Sequence, residues 1–414
     1  MLFLQAMRKL FHGISQLLGS LPEGEHFKSG ADMASVSVLK NAYLLVEDGL
    51  IAEMGEGAGP RADQVVDLKG AELMPGYVDS HSHAVFAAPR HEEFAMRLKG
   101  ASYEEIAAAG GGILNSAAKM ALIDEEQLYQ QSESYVRNMM AHGTTCLEIK
   151  SGYGLSLESE LKILRVARRL KESLPLTIRT TFLGAHAFPK EYKGREDDYV
   201  NLVIEEMLPR VLDEGLADHI DVFCDRGFFS VEQTARILEA GARAGLPSKI
   251  HGNELGLTGG VQVACQYQSY SVDHLEHCGP EEIACLQNSE VVPVALPGTS
   301  YFLGLPYTPG RELISAGLPL AIASDFNPGS SPLLSMQSIV ALACTQMKLM
   351  PEEAFWASTA NAARALRLEE QLGSLSVGKR ADFWVTQSRD AHLSIPYFMG
   401  VNHAQAVYIG GTRV

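Results

Sequence analysis

The chain has 414 residues, of which 46% are hydrophobic and 20% are charged, and its formal net charge is −16. That length allows two or three domains, or one barrel with an appendage. So acidic a chain argues against nucleic acid as its main partner, because phosphate groups are bound by clustered lysine and arginine. No run of about 18 apolar residues is present, which predicts that nothing spans a membrane. Six scattered cysteines without a C-x-x-C pair indicate a reducing compartment, which we take to be the cytoplasm.

Residues 1–74 are predicted to form short strands joined by turns. The first strand is Leu2–Phe11, which we prefer to a targeting presequence because the segment lacks a secretory cleavage site. Ser35–Leu39 and Ala42–Val46 are rich in β-forming residues, and Glu47-Asp-Gly49 indicates a hairpin turn.

Residues 368–414 return to β character, with predicted strands at Ala381–Val385 and Ala404–Ile409. The simplest architecture joins this tail to the N-terminal strands, since pairing satisfies the edges of both pieces. We therefore expect a small composite β-sandwich domain built from residues 1–74 and 368–414.

Between these pieces, residues 75–367 alternate apolar β segments with helical segments. Helices are predicted at Ser102–Ala109, Ile123–His142, Leu157–Leu174, Tyr199–Glu214 and Val231–Ala244, several of them ended by glycine. Eight strands alternating with helices predict a (β/α)8 TIM barrel, an α/β fold. The predicted strands are Gly76–His81, Thr144–Ile149, Thr177–Leu183, Ile220–Cys224, Ser248–His251, Ser271–His274, Val291–Ala295 and Leu320–Ala323.

A turn signal at Pro75-Gly76 precedes a short apolar run that ends in His81-Ser-His83. Side chains two apart on a strand share a face, so both imidazoles enter one space. That spacing suits two ligands of one metal ion, since neutral imidazole binds zinc and other borderline ions. The alternative is a pair of surface histidines at the end of a strand.

In a (β/α)8 barrel the active site lies at the C-terminal ends of the strands. Six predicted strands end in titratable or hydrogen-bonding side chains, a strong signal because burying unpaired polar groups is costly. These residues are His81 and His83; Glu148, Lys150 and Tyr153; His186; His251 and Glu254; Asp273 and His274; Asp325, Asn327, Gly329 and Ser330.

His81, His83, His251 and Asp325 form a set of three imidazoles and one carboxylate from three strands. Such a set suits a catalytic divalent ion that leaves room for water. The ion lowers the pKa of its water from about 15.7 towards 7, so that the water can attack at neutral pH. Asp325 could both ligate the ion and accept the proton of the water.

Some of these side chains also have a purely structural interpretation. Asp325 could cap a helix that starts near Pro332, and His186 could be a hydrogen-bonded core histidine. Only one of His274 and His277 can face the barrel, and we prefer His274 because it is nearer the strand.

Two further features have open interpretations. Lys150 follows Glu148 at period two, so the pair could form an internal ion pair and nothing more. The three glycines at 110–112 fit either a helix stop or a mobile loop over a site.

The segment Pro75-Gly-Tyr-Val-Asp-Ser-His-Ser-His83 and the late-strand Asp325 resemble the amidohydrolase superfamily. Further blocks resemble one family within it, the imidazolonepropionases, from about residue 2 to the C-terminus. These blocks are Val85-Phe-Ala-Ala-Pro-Arg90, Glu93-Phe-Ala-Met-Arg-Leu98, Gly100-Ala-Ser-Tyr103, Ala109-Gly-Gly-Gly-Ile113, Glu148-Ile-Lys-Ser-Gly-Tyr-Gly-Leu155, Phe182-Leu-Gly-Ala-His186, His251-Gly-Asn-Glu254 and Ser324-Asp-Phe-Asn-Pro-Gly-Ser330.

The resemblance implies hydrolysis of 4-imidazolone-5-propanoate to N-formimidoyl-L-glutamate, the third step of histidine degradation. It implies one zinc or iron ion on the four ligands named above, a small-molecule substrate and a homodimer. It implies that the substrate or product is contacted by Arg90, Tyr153, His186, Glu254, Asn327, Gly329 and Ser330.

This implied reaction agrees with the chemistry of the residues. Arg90 can hold a propionate bidentately, which an acidic protein needs for an anionic substrate. Glu254 with Asp325 would move the proton from the water to the ring nitrogen that leaves. His274 would orient or stabilise the tetrahedral carbon.

The chain departs from the family pattern in places. Ala88-Pro89 precedes Arg90 where the family often has Gly-Asp, and proline fixes φ and removes a donor. No carboxylated bridging lysine is expected, so Lys150 is assigned a structural role. Two rival functions stay open: a one-metal deaminase of cytosine- or guanine-like rings, and a non-catalytic scaffold on the same fold.

Overall fold

The computed structural model describes residues 7–101, 105 and 111–414. The strands in the described part of the chain divide between two sheets. They are β1 Arg8–Leu18, β2 Val38–Glu47, β3 Leu50–Glu56, β4 Gln64–Pro75, β5 Tyr77–Asp79, β6 Thr144–Lys150, β7 Thr177–Ala185, β8 His219–Cys224, β9 Ser248–Gly252, β10 Ser271–His274, β11 Val292–Ala295, β12 Ala321–Ile322, β13 Phe383–Thr386, β14 Ala406–Ile409 and β15 Thr412–Arg413.

Helices cover the outer face of one sheet. The α-helices of the described residues are His91–Leu98, Ile113–Leu122, Glu125–Ala141, Leu157–Ser173, Glu196–Leu202, Leu208–Asp213, Val231–Arg243, Gly260–Gln266, Pro280–Gln287, Pro297–Leu303, Gly310–Ser315, Met336–Gln346, Pro351–Ala357, Ala360–Arg364 and Ala391–Tyr397. Short 3-10 turns lie at Gly30–Ala34 and Lys190–Tyr192. No helix among the residues that the structure describes is long and apolar enough to cross a membrane.

Strands β5 to β12 form the predicted (β/α)8 barrel, with parallel neighbours in chain order. Residues just beyond the first and last strands close it: the Asp325 N–H donates to the His81 carbonyl and the His83 N–H to the Phe326 carbonyl, both at 2.9 Å. Each strand is buried throughout or nearly so, as expected for parallel strands covered on both faces. The closure places the ends of β5 and β12, and therefore His81 and Asp325, side by side.

The N- and C-terminal segments together form the second sheet, in the order β15-β14-β13-β4-β1-β2-β3, as the composite domain predicts. The edge strand β3 reaches the C-terminal segment, because the Ile51 N–H donates to the Lys379 carbonyl at 2.8 Å. Inside, the Phe11 ring lies 5.0 Å from the Phe383 ring, which stacks 4.7 Å from Tyr408. Aromatic packing therefore joins chain ends that are far apart in sequence.

The first strands begin and end at positions that differ from the prediction. β1 extends from Arg8 to Leu18, and residues 2–6 of the predicted strand Leu2–Phe11 lie outside the described residues. The predicted strands Ser35–Leu39 and Ala42–Val46 are one strand, β2. A bulge opposite it keeps the register, since the pairing shifts between Phe11 and Ile14 of β1. Asn41, which lies between the two predicted strands, has a φ of 46° and lies inside β2.

Helix boundaries differ in one informative place. The predicted helix Tyr199–Glu214 begins at Glu196 and is interrupted by a π-helical stretch, Val203–Met207. Pro209 follows, and because proline has no N–H to donate to a preceding carbonyl, it disturbs the regular ladder there. The predicted helix Ser102–Ala109 and Gly110 of the predicted loop lie outside the described residues, Glu105 apart.

Candidate functional site

Four buried donor groups converge at the C-terminal mouth of the barrel. The Asp325 Oδ1 lies 3.4 Å from Nε2 of His81 and 3.6 Å from Nε2 of His83, and Nε2 of His251 lies 3.4 Å from Nε2 of His83. Asp325 has a φ of 48°, a left-handed conformation that aspartate tolerates better than most residues. The structure thus brings together the three imidazoles and the carboxylate that the sequence singled out.

These donors fit a divalent metal ion. Zinc–ligand bonds of about 2.0–2.2 Å on a tetrahedral ion place neighbouring donor atoms roughly 3.4 Å apart, close to the separations above. Nε2 of His81 is buried and has no hydrogen-bond partner among the described residues, as a ligand atom must be. Two sets of three residues in the part of the chain that the structure describes have donor atoms within 4.8 Å of one another: His81, His83 and Asp325 form one, and His81, His251 and His274 form the other.

Each imidazole of the four-donor set is held from its far side. Nδ1 of His81 lies 2.6 Å from Oδ2 of Asp273, and Nδ1 of His251 lies 2.9 Å from Oδ2 of Asp221. Nδ1 of His83 donates to the Ser151 carbonyl at 3.2 Å. Such partners fix the tautomer and turn Nε2 towards a common point. Burial, reinforced by neighbouring cationic and imidazole groups, lowers the pKa of His81 and His83 well below the usual value, so both rings are neutral donors.

Below this site an ion-pair network fills the barrel. Lys150 Nζ lies 2.6 Å from Asp221, 3.2 Å from Glu148 and 3.4 Å from Asp273, and Lys249 Nζ lies 2.9 Å from Glu148. Burial lowers the pKa of Lys150, but the three carboxylates outweigh it and raise the pKa above its usual value. The Glu148–Lys150 pair expected from the sequence is therefore part of a larger network.

His274, rather than His277, faces the barrel. Its ring lies 5.2 Å from the His251 ring, and its Nδ1 lies 3.6 Å from Oε2 of Glu254 and 3.5 Å from Oε1 of Glu276. Burial raises the pKa of Glu254 to about 7. Burial lowers the pKa of His274, but the two carboxylates outweigh it and raise the pKa to about 10. Glu276 was not identified from the sequence, where no strand-end pattern marks it.

Tyr153 and His186 lie beside His83. The His186 ring stacks on the His83 ring at 5.2 Å, and the Tyr153 ring meets both edge-on at 5.3 and 5.2 Å. Nδ1 of His186 donates to the Gly152 carbonyl at 3.0 Å, and burial lowers the pKa of His186 to about 3. These two side chains form one wall of the space above the four donors.

Arg90 lies at the rim of the same space. Its Nε donates to the Ser116 hydroxyl at 2.9 Å, and its guanidinium lies 5.6 Å from the centre of the Tyr153 ring. Nη2 is buried and has no hydrogen-bond partner within the described part of the chain. Gly329 makes room for it, because a Cβ there would lie 2.3 Å from Nη1.

The loop after β12 is shaped by Asn327. Its Oδ1 accepts from the N–H groups of Gly329 and Ser330, both at 2.8 Å, and its Nδ2 donates to the Asp325 carbonyl at 2.7 Å. Oδ2 of Asp325 accepts from the Thr299 hydroxyl at 2.6 Å. The next helix begins at Met336, so the interpretation of Asp325 as a helix cap near Pro332 is wrong.

The sequence did not single out Asp221, Lys249, Glu276 or Thr299, and it placed Asp273 at the end of a strand without giving it a role. For three of them a signal was present, since Asp221, Lys249 and Asp273 are charged residues inside predicted apolar strands. A charge in such a strand requires a buried partner, and a barrel interior is where the partners meet.

Buried imidazoles and a carboxylate at the C-terminal mouth of a (β/α)8 barrel define a class, the metal-binding barrel hydrolases. The family model described as "Amidohydrolase family" matches residues 73–414. The chain belongs to this family and is a hydrolase.

Curated relatives extend the match to the whole chain. It is similar to an imidazolonepropionase of Flavobacterium johnsoniae, with 46% identity over 408 residues that cover 98% of this chain and 99% of the relative. It is similar to an imidazolonepropionase of Geobacillus kaustophilus, with 43% identity over 390 residues that cover 92% of each.

Solved structures share the fold at lower identity. Guanine deaminase of E. coli superposes with a TM-score of 0.76 at 15% identity, covering 99% of both chains. A zinc-bound adenosine deaminase of Xanthomonas campestris gives a TM-score of 0.71 at 18% identity, covering 98% of this chain and 92% of that one. At these identities the likeness shows the fold alone.

Proposed function

We propose that this chain hydrolyses the ring C–N bond of 4-imidazolone-5-propanoate to give N-formimidoyl-L-glutamate, the third step of histidine degradation. The observation that carries the proposal is Arg90, a mostly buried guanidinium at the rim of the four-donor site. Its Nη1 lies 4.0 Å from Oε2 of Glu93, and its Nη2 has no hydrogen-bond partner among the described residues. An arginine so placed suits a carboxylate substrate, and it lies in a chain whose curated relatives are imidazolonepropionases.

The substrate is held between the Arg90 rim and the four donors. Arg90 pairs bidentately with the propionate, while Tyr153 and His186 contact the ring from the wall beside His83. Asn327, Gly329 and Ser330 contact the substrate or product from the other side, through the backbone of the loop and the Ser330 hydroxyl.

His81, His83, His251 and Asp325 would hold one ion, zinc or iron. We prefer this set to the one with His274, because burial lowers the pKa of His274 but Glu254 and Glu276 outweigh it and raise the pKa to about 10. A protonated imidazole has no free nitrogen to offer a metal ion. When bound, such an ion polarises water and lowers its pKa from 15.7 towards about 7.

The acid–base work falls to groups of the chain beside that site. Glu254, aided by Asp325, takes a proton from the attacking water and delivers it to the ring nitrogen as the C–N bond breaks. His274, held between Glu254 and Glu276, donates a hydrogen bond to the oxygen of the tetrahedral carbon.

The proposal also covers the domain bounds, the compartment and the oligomeric state of the protein. The catalytic barrel spans residues 75–367, with residues 1–74 and 368–414 forming the composite domain. The protein acts in the cytoplasm, consistent with cysteines that are all free within the described residues. It acts as a homodimer, which analytical ultracentrifugation of the purified chain tests.

The experiment follows the ultraviolet absorbance of imidazolonepropionate with the purified, zinc-loaded chain, in parallel with ammonia release from guanine, cytosine and adenosine. Loss of absorbance without ammonia release from the bases is the expected result. Ammonia release alone would make the chain a deaminase, and a purified chain without bound metal or turnover would make it a scaffold.

A further inference from the structure

A buried carboxylate lies directly behind one wall of the site. Glu160 is the fourth residue of the helix Leu157–Ser173 and is 0% exposed. Its Oε1 accepts from the N–H groups of Gly154 at 2.7 Å and Leu155 at 2.8 Å, and its Oε2 accepts from the Gly152 N–H at 2.8 Å. The dipoles of these three backbone N–H groups therefore stabilise its charge.

The loop around this carboxylate has an unfavourable backbone conformation. Gly152 has a φ of 109° and Leu155 a φ of 52°, both in the left-handed region. A Cβ on Gly152 would lie 2.7 Å from Nδ1 of His186, and one on Gly154 would lie 2.6 Å from the Glu160 backbone nitrogen. Residues 151–155 are therefore pressed between the helix and the site.

The same loop holds three side chains of the site. The Ser151 carbonyl accepts from Nδ1 of His83 at 3.2 Å, and the Gly152 carbonyl accepts from Nδ1 of His186 at 3.0 Å. Tyr153 lies between them and meets both rings edge-on. A carbonyl that accepts from Nδ1 places the proton there and leaves Nε2 as the free donor atom.

We propose that Glu160 is a positioning residue: its carboxylate holds the backbone of residues 151–155 so that their carbonyls orient His83 and His186 and their one aromatic side chain, Tyr153, faces the substrate. The part of this inference that concerns the substrate rests on the proposed function. The part that concerns the orientation of His83 does not, because it acts on the metal site whatever the reaction is.

The test compares Glu160→Gln with Glu158→Gln, an exposed residue of the same helix. The glutamine keeps the size of the side chain. Its NH2 group, however, would face a backbone N–H group that now donates a hydrogen bond to the carboxylate, and two donors cannot pair. Hydrogen exchange of the peptide covering residues 151–155, zinc affinity against a competing chelator, and kcat and KM for imidazolonepropionate are measured for both variants.

We expect Glu160→Gln to speed exchange in residues 151–155 selectively, to weaken zinc binding by about 10–100-fold and to raise KM, while Glu158→Gln changes none of them. Unchanged exchange in this loop, or a uniform rise over the whole chain with KM and zinc affinity unchanged, would overturn the proposal. If the wild-type chain does not turn over the substrate, the proposed function fails, and exchange with zinc affinity still decides the role of Glu160. If Glu160→Gln does not fold, the wild-type chain decides: fast exchange of the amides of residues 151–155 would overturn the proposed role of Glu160.

Discussion

Oδ2 of Asp273 lies 2.6 Å from Nδ1 of His81, across the ring from Asp325, whose Oδ1 lies 3.4 Å from Nε2. The two carboxylates thus act on one imidazole from opposite sides. Asp273 fixes the proton on Nδ1, and Nε2 is left as a donor atom beside Asp325. Asp273 also lies 3.4 Å from Lys150, so the ion-pair network below the site supports this orientation.

Replacing Asp273 with Asn should weaken metal binding without emptying the ligand set. The amide keeps the size of the side chain but removes the charge that faces Nδ1, and its NH2 group favours the wrong tautomer of His81. We expect zinc affinity to fall about 10–100-fold, measured by competition with a chromogenic chelator. Asp213→Asn, at an exposed helical residue, is the control and should bind zinc as the wild type does. Wild-type affinity in Asp273→Asn would show that Asp273 does not orient the ligand.

His251 on β9 and His277, which follows the end of β10, distinguish a metal ligand from a residue outside the donor cluster. His251→Ala should lose bound metal and activity together, because one of the four donors is removed. His277→Ala is the matched control, since His277 lies three residues past His274 and outside the donor cluster. Metal analysis of the two purified variants is the measurement, and a full metal content in His251→Ala would remove His251 from the ligand set.

Arg90→Ala should act mainly on substrate capture. If the guanidinium pairs with a desolvated propionate, its removal should weaken binding by about 2–5 kcal/mol, seen as a rise in KM with a smaller change in kcat. Arg90→Lys should recover only part of the loss, because lysine offers a point charge rather than a planar fork. An unchanged KM in Arg90→Ala would exclude Arg90 from substrate binding. Arg137→Lys on the surface should leave both constants unchanged.

Gly329→Ala should raise KM through Arg90. The added Cβ would lie 2.3 Å from Nη1 of Arg90, so the guanidinium must move away from its place at the rim. A double-mutant cycle isolates this effect: in the Arg90→Ala background, Gly329→Ala should have little further effect on KM. An equal rise in KM in both backgrounds would mean that Gly329 acts on the substrate or the loop directly.

The sequence predicted the barrel well because each strand is an apolar run with a polar end, and that pattern is local. His81, His83, His251 and Asp325 could be found in the same way, since they stand where those runs stop. Asp273 could not be matched to His81, because 192 residues separate them and only closure of the barrel makes them neighbours.

The bounds of the N-terminal strands could not be predicted from local sequence. β1 begins at Arg8 and continues past Gly13, whose φ of 66° lets a bulge keep its register with β2. Local hydrophobicity places the strand earlier and divides β2 in two. The actual boundaries depend on the pairing of β1 with β2 and β4, and β4 in turn pairs with β13 from the other end of the chain.

Lys379 gives a stability prediction that is independent of the active site. Its Nζ donates to the Glu369 carbonyl at 2.5 Å and to the Ser374 hydroxyl at 2.7 Å, and burial lowers its pKa from 10.5 to about 8. Between pH 8 and 10.5 the unfolded chain therefore holds more protons at this residue than the folded chain, so this group makes the free energy of unfolding rise with pH. Below pH 8 both states are protonated and the destabilisation is constant.

The rise amounts to at most about 3 kcal/mol for a shift of this size. Lys379→Met lacks the titrating group and should not show this rise in the free energy of unfolding. The wild type should therefore gain stability relative to Lys379→Met from pH 8 to 10.5. Denaturant unfolding at several pH values measures the difference, with Lys193→Met at an exposed position as the control. A difference that does not change over this range would show that Lys379 keeps its usual pKa, and that the segment joining β3 to the C-terminal strands is open to solvent.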